Sequence, residues 1–132
     1  MPLGCPMLDE LPHRFRVDGE HVTVELDVID DVRGPSGAVH GGLVASLIDC
    51  AGAFAVARAS ERLVATANAS ISYLAAGRVG PLRAGASAIR VGSHHGVAEI
   101  RVCDAGQGDR LVASALLTVS FLSGEAFTRR AS

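Results

Sequence analysis

The chain has no tryptophan, one tyrosine and four phenylalanines in 132 residues. Its core must come from Leu, Val, Ile and Ala, since 48% of the sequence is hydrophobic. Small core residues of this kind let a helix approach a sheet closely. An excess of positive charge is also missing. The formal net charge is −2, the pI is about 6.2, and there is no long basic run. Nucleic acid is therefore not an expected partner; Arg129 and Arg130 read as a solvated tail. Cysteine is scarce: Cys5, Cys50 and Cys103 are odd in number and lack CxxC spacing. That excludes a disulfide framework and a zinc site. His94-His95 sits in a glycine-flanked turn with no further ligands at useful spacing, so no metal is expected. No charged start followed by an apolar run marks a signal peptide, and the cytoplasm is the expected location. The apolar stretch after His40 is broken by Asp49 and Arg58 and reads as too short for a membrane span.

The length fits one domain over 1–132. Residues 1–12, with three prolines, read as a loose lead-in and 123–132 as a tail. Val22, Val24, Leu26 and Val28 alternate with polar residues, which predicts a half-buried strand over 21–28. Phe15 to Val17 is a short strand before it, with Asp18-Gly19 as the turn. Asp30 to Gly37 is loop. From His40 to about Ser60 there is neither alternation nor proline, and Leu43, Val44, Leu47, Ile48 and Ala51 fit helical spacing. The helix is apolar almost all round and should be buried on most sides.

Four strands follow. In the first, Ala65, Ala67, Ala69, Ile71 and Tyr73 share one face, with Thr66, Asn68, Ser70 and Ser72 on the other. Leu82–Val91, Ala98–Val102 and Leu111–Leu122 come next, and the short links favour hairpins. One long helix is the only cover for such a sheet. The expected class is α+β: a curved antiparallel sheet of five to six strands wrapped around one central helix.

Gly37-Ala38-Val39-His40-Gly41-Gly42-Leu43-Val44 opens that helix. A glycine pair at a helix start leaves backbone N–H groups bare, ready for developing negative charge. Glycine also lets a substrate carbonyl approach the backbone. Asp49 is a lone carboxylate in an apolar helix and needs a partner or a task. A buried structural role, bonded to Ser46, is the bland alternative. The Gly41 N–H reads as a donor to a carbonyl oxygen and Asp49 as a base. His40 reads as a cap or loop anchor, and Cys50 as a small core residue. His40 and Asp49 are nine residues apart, about 13 Å along a helix. Donor and base of one site should then come from two antiparallel helices, as a twofold dimer supplies.

The motif G-x-V-H-G-G-x-x-A-x-x-x-D-x-A from Gly37 to Ala51 resembles the hot-dog fold thioesterases, PaaI-like acyl-CoA branch. Ser70-Ile71-Ser72-Tyr73-Leu74 resembles that family's I-x-Y-L strand end. The resemblance spans about residues 15–122. It implies acyl-CoA hydrolysis by water, with CoA as part of the substrate and no metal or other cofactor. It implies a dimer with interfacial sites, often doubled to a tetramer. By position, Asp49 matches the catalytic carboxylate, Gly41 the N–H donor, and Thr66 a hydroxyl that places water. His40, Gly42, Gly34 and Ser36 fall on the substrate-binding loop. Many relatives carry an Asn or Gln amide where this chain has Gly34; Ser36, a water or another backbone N–H would have to replace it. Arg33, Arg78 and Arg90 are candidates for the CoA phosphates. A non-catalytic acyl-CoA binder or sensor is the main alternative. A hot-dog hydratase is disfavoured, because its Asp precedes its His.

Overall fold

The computed structural model describes residues 3–126, with backbone alone for 124–126. A four-residue helix, α1 (Pro6–Asp9), is followed by strands β1 (His13–Asp18) and β2 (His21–Leu26). Then come the long helix α2 (Gly41–Ser60) and strands β3 (Arg62–Tyr73), β4 (Leu82–Val91), β5 (His95–Asp104) and β6 (Arg110–Ala126). The six strands form one antiparallel sheet in the order β1-β2-β4-β5-β6-β3. This is the hot-dog arrangement.

The two ends of the chain and one link differ from the sequence reading. The lead-in is not loose over residues 3–12: the Leu3 N–H bonds the Asp9 carboxylate, and Leu3 and Leu11 pack on the core. The tail begins later than residue 123, because β6 continues to Ala126; Arg129 and Arg130 lie outside the described residues. The link from β3 to β4 is not a hairpin. β3 pairs with β6 at the far edge, and residues 74–81 carry the chain back across the end of the sheet.

The helix packs on β2, β3, β4, β5 and β6. Small residues make this close approach possible. A Cβ on Gly52 would fall 2.8 Å from Leu117 Cδ2 and 2.9 Å from Ile100 Cδ1. Ala84, Ala86 and Ala98 line the sheet beneath with no exposure. Phe15 meets Phe54 edge-on, ring centroids 5.2 Å apart, and ties β1 to the helix.

Only part of the helix is covered. Val44, Leu47, Ile48, Ala51, Gly52, Ala55, Val56 and Ala57 are buried, while Gly41, Gly42 and Asp49 are exposed. By length and composition α2 could cross a bilayer, so it is not too short for a span as its sequence suggested. Here it serves as the core helix of the sheet. At 3.6 residues per turn, Gly42, Asp49 and Ala53 fall on one stripe, with Ala45 and Ser46 between them.

Candidate active site

The loop before α2 is held by its own backbone. The Gly34 N–H donates to the Ala38 carbonyl (2.7 Å) and the Gly37 N–H to the Gly34 carbonyl (3.0 Å). Arg33 Nη1 donates to the carbonyls of Gly37 (2.7 Å) and Arg78 (3.1 Å). The chain then turns into the helix at His40, whose extended backbone makes it the N-cap. Its Nδ1 accepts the Gly42 N–H at 2.9 Å, which leaves the neutral ring's proton on Nε2. The capping role expected of His40 is therefore observed.

Capping decides which N–H stays free. The His40 carbonyl accepts the N–H groups of Leu43 (2.9 Å) and Val44 (3.2 Å). Gly42 is taken by the imidazole. Among the described residues nothing accepts from the Gly41 N–H. One bare donor thus remains at the positive end of a 20-residue helix, where a carbonyl oxygen gaining charge is stabilised. The Tyr73 hydroxyl donates to the Gly41 carbonyl at 2.7 Å, and its ring lies 3.7 Å from where a Gly41 Cβ would be. No role for Tyr73 followed from the sequence, although it stands in the resembling motif.

Asp49 sits eight residues further along, about 12 Å up the helix axis. Its Oδ1 accepts the Thr66 hydroxyl at 2.5 Å. This pairing corrects the strand reading. Thr66 is not on the face of Asn68, Ser70 and Ser72, because the register shifts between Thr66 and Asn68. Thr66 pairs with Val119, while Ala69, Ile71 and Tyr73 pair with Leu117, Ala115 and Ala113. A bulge at Ala67 puts one extra residue in the strand and swings Thr66 to the helix side. Ser46 does not hold Asp49; its hydroxyl donates to the Gly42 carbonyl at 2.9 Å.

The named residues thus form two groups within one chain. Asp49 meets Thr66; Gly34, His40, Gly41 and Gly42 cluster at the helix start. A Gly34 Cβ would lie 3.6 Å from the His40 ring. Ser36 is exposed, and its carbonyl accepts Arg78 Nη1 at 3.5 Å. Arg33 and Arg78 are thereby tied to loop carbonyls, whereas Arg90 is exposed at the end of β4. The Cys50 thiol is pushed up to about 11 by burial, helped by the Asp49 charge, and donates to the Leu3 carbonyl at 3.4 Å. It is no thiolate nucleophile near neutral pH. His94 and His95 are exposed, and among the described residues no group of three or more His, Cys, Asp or Glu is placed to hold a metal. A groove of about 440 Å³ lies elsewhere, lined by His21, Thr23, Arg83, Gly85 and Arg101. These alternate with core residues, so the groove is on the sheet face away from α2.

The sequence pattern of the thioesterase superfamily matches residues 36–118. A Halobacterium salinarum protein named as a candidate esterase is 51% identical over 74 residues, which are 52% of this chain and 48% of that protein. The match thus spans about half the length of that relative. The PaaI protein of Escherichia coli, from its phenylacetic acid degradation operon, superposes with a TM-score of 0.81 at 23% identity. That likeness covers 92% of this chain and 87% of PaaI. A hypothetical thioesterase of Streptococcus pneumoniae, solved with coenzyme A, gives a TM-score of 0.78 at 22% identity, over 87% of this chain and 89% of the other. The folds agree, and with a family pattern matched over more than half of its length, a span that contains Gly41, Asp49 and Thr66, this chain belongs to the thioesterase superfamily.

Proposed function

We propose that the chain hydrolyses acyl-CoA thioesters, with Asp49 as the base and the Gly41 N–H as the carbonyl donor. The observation that carries this reading is the exposed Asp49 carboxylate with a hydroxyl on one oxygen only. Thr66 occupies Oδ1, so Oδ2 is free to take a proton from water. The Thr66 oxygen, its proton committed to Asp49, can accept a hydrogen bond from that same water. The water attacks the thioester carbon, and charge builds on the carbonyl oxygen at the Gly41 N–H. Collapse of the tetrahedral species breaks the C–S bond. CoA leaves as a thiolate without a strong acid and then takes the proton from Asp49, which gives the carboxylic acid and the CoA thiol as products and restores the base. Direct attack by Asp49, through an anhydride, is the competing route.

The two halves are too far apart to act together in one chain, so each site in this reading takes Gly41 from one subunit and Asp49 from the other. The small stripe of Gly42, Ala45, Ser46 and Ala53 supports close approach of two helices. The coenzyme A in the pneumococcal structure supports a CoA thioester as substrate. A second reading, acyl-CoA binding without turnover, has one observation in its favour: Gly34 brings no side-chain donor to the loop. A panel of acyl-CoAs assayed for thiol release decides between them. Turnover should appear with at least one acyl group, and Asp49→Asn should lower kcat by ~100-fold or more, the scale of losing a key catalytic group. Tight binding with no release from any acyl-CoA would establish the binder instead.

A further inference from the structure

We propose that Asp104 is a positioning residue for Gly41, acting through the loop that joins β3 to β4. The inference rests on the reading of the Gly41 N–H as the carbonyl donor. Asp104 ends β5 and has no solvent exposure. Its Oδ2 accepts the N–H groups of Arg78 (2.8 Å) and Val79 (3.1 Å). Its Oδ1 accepts those of Gly80 (2.7 Å) and Gly106 (3.1 Å). Gly106 has no room for a side chain: a Cβ there would lie 2.3 Å from Val79 Cγ1 and 2.6 Å from the Gly80 carbonyl oxygen. One carboxylate therefore grips the loop through three of its peptides and ties it to the β5–β6 turn through a fourth.

Two of those peptides reach the loop before α2. In a trans peptide the N–H and the preceding carbonyl point in opposite directions. The peptide between Gly77 and Arg78 gives its N–H to Asp104 and its carbonyl to the Val39 N–H, at 2.8 Å. The next peptide gives its N–H to Asp104 and its carbonyl to Arg33 Nη1, at 3.1 Å. Arg33 also holds the Gly37 carbonyl, and the His40 N–H bonds the Val32 carbonyl at 2.9 Å. Gly41 is the next residue. Asp104 thus sets two carbonyls that fix both strands of the loop just ahead of the free N–H. A charged acceptor strengthens each bond in this chain through the peptides it polarises. Asp104 is fully buried, so it acts on Gly41 only through position.

Asp104→Asn keeps the size but offers one accepting oxygen, turning an NH₂ toward two backbone donors. In steady-state hydrolysis we expect kcat to fall about tenfold or more with KM within about threefold, since the donor acts on the transition state. By NMR without substrate, the Val39 and His40 amides should exchange at least about tenfold faster. Val24→Ala, a core change in β2 with no bond to either loop, serves as the control; at a matched loss of melting temperature its kcat should stay within about twofold. If Asp104→Asn and Val24→Ala lower kcat alike, or if exchange across residues 32–44 is unchanged, Asp104 is no positioning residue. Arg33→Gln breaks the same strut from the other side and provides the test if Asp104→Asn does not fold: faster exchange and lower kcat support the proposal, and neither change overturns it. Where both variants fold, the double variant should cost less than the product of the single effects; multiplicative costs would count against a shared strut. A wild-type chain that hydrolyses no thioester would defeat the functional reading alone, because the exchange measurement still decides what Asp104 holds.

Discussion

The two oxygens of Asp49 have different neighbours, and that difference separates the roles of Asp49 and Thr66. Oδ1 is committed to the Thr66 hydroxyl; in the proposed mechanism Oδ2 is the one that takes the proton. Thr66→Ser keeps the hydroxyl and should leave kcat within about threefold. Thr66→Ala removes the group that aligns both base and water in that mechanism, so kcat should fall by ~10-fold or more while Asp49 remains able to take a proton. Steady-state kinetics on one acyl-CoA check this, and a Thr66→Ala variant as fast as wild type would remove Thr66 from the water site. Asp49 was legible in the sequence because a charge in an apolar helix is conspicuous. Its partner was not. Alanine at position 67 fits either face of a strand, so nothing local marked the bulge, and plain alternation put Thr66 on the wrong side. Asp104 escaped for a similar reason: an Asp at a strand end two residues before a glycine looks like a turn residue, and its four donors come partly from a loop some 25 residues away.

At the level of elements, the long helix was readable from its glycine start, helical spacing and lack of proline. Most of the strands were readable from alternation. Their order was not, because pairing is a long-range property. The segment between β3 and β4 contains Gly77, Gly80 and Pro81 and so resembles a hairpin turn, yet it carries the chain from the edge strand β3 to β4 inside the sheet, under the grip of Asp104. Helix-to-sheet spacing is also fixed by particular residues. Gly52 faces Leu117 and Ile100 across a gap smaller than a methyl group needs. Gly52→Ala gains helix propensity of up to about 1 kcal/mol, but it must push α2 off the sheet or force two buried side chains from their rotamers. Overpacking of that kind costs about 1–3 kcal/mol, so the net change should be a loss. Thermal or urea unfolding will show it as a lowered midpoint; an unchanged or raised midpoint would mean that the helix can shift without penalty.

Over the whole molecule, charge distinguishes the two edges of the sheet. At the β1 edge, Arg14 pairs with Asp27 at 2.7 Å, and Arg14, Arg16 and Arg83 surround Glu25. Charges of this kind discourage strand pairing. Beyond Arg62, β3 carries no charged residue, and Ala65 to Ser70 are exposed in a row. An uncharged, exposed edge strand beside a half-covered apolar helix favours pairing with a second copy on that side. The proposed shared site then makes a quantitative prediction. Gly41→Pro deletes the proposed donor at the first helical position, where proline is well tolerated; His40 already has the extended backbone that must precede a proline. Asp49→Asn deletes the base. Each variant alone should be nearly inactive. Unfolded and refolded together in equal amounts, they form about half mixed dimers. Each mixed dimer has one defective site carrying both changes and one intact site, with Gly41 from the Asp49→Asn subunit and Asp49 from the Gly41→Pro subunit. Activity should therefore return to about a quarter of the wild-type level. If donor and base belong to the same chain, no mixed dimer holds an intact site, and mixing restores nothing.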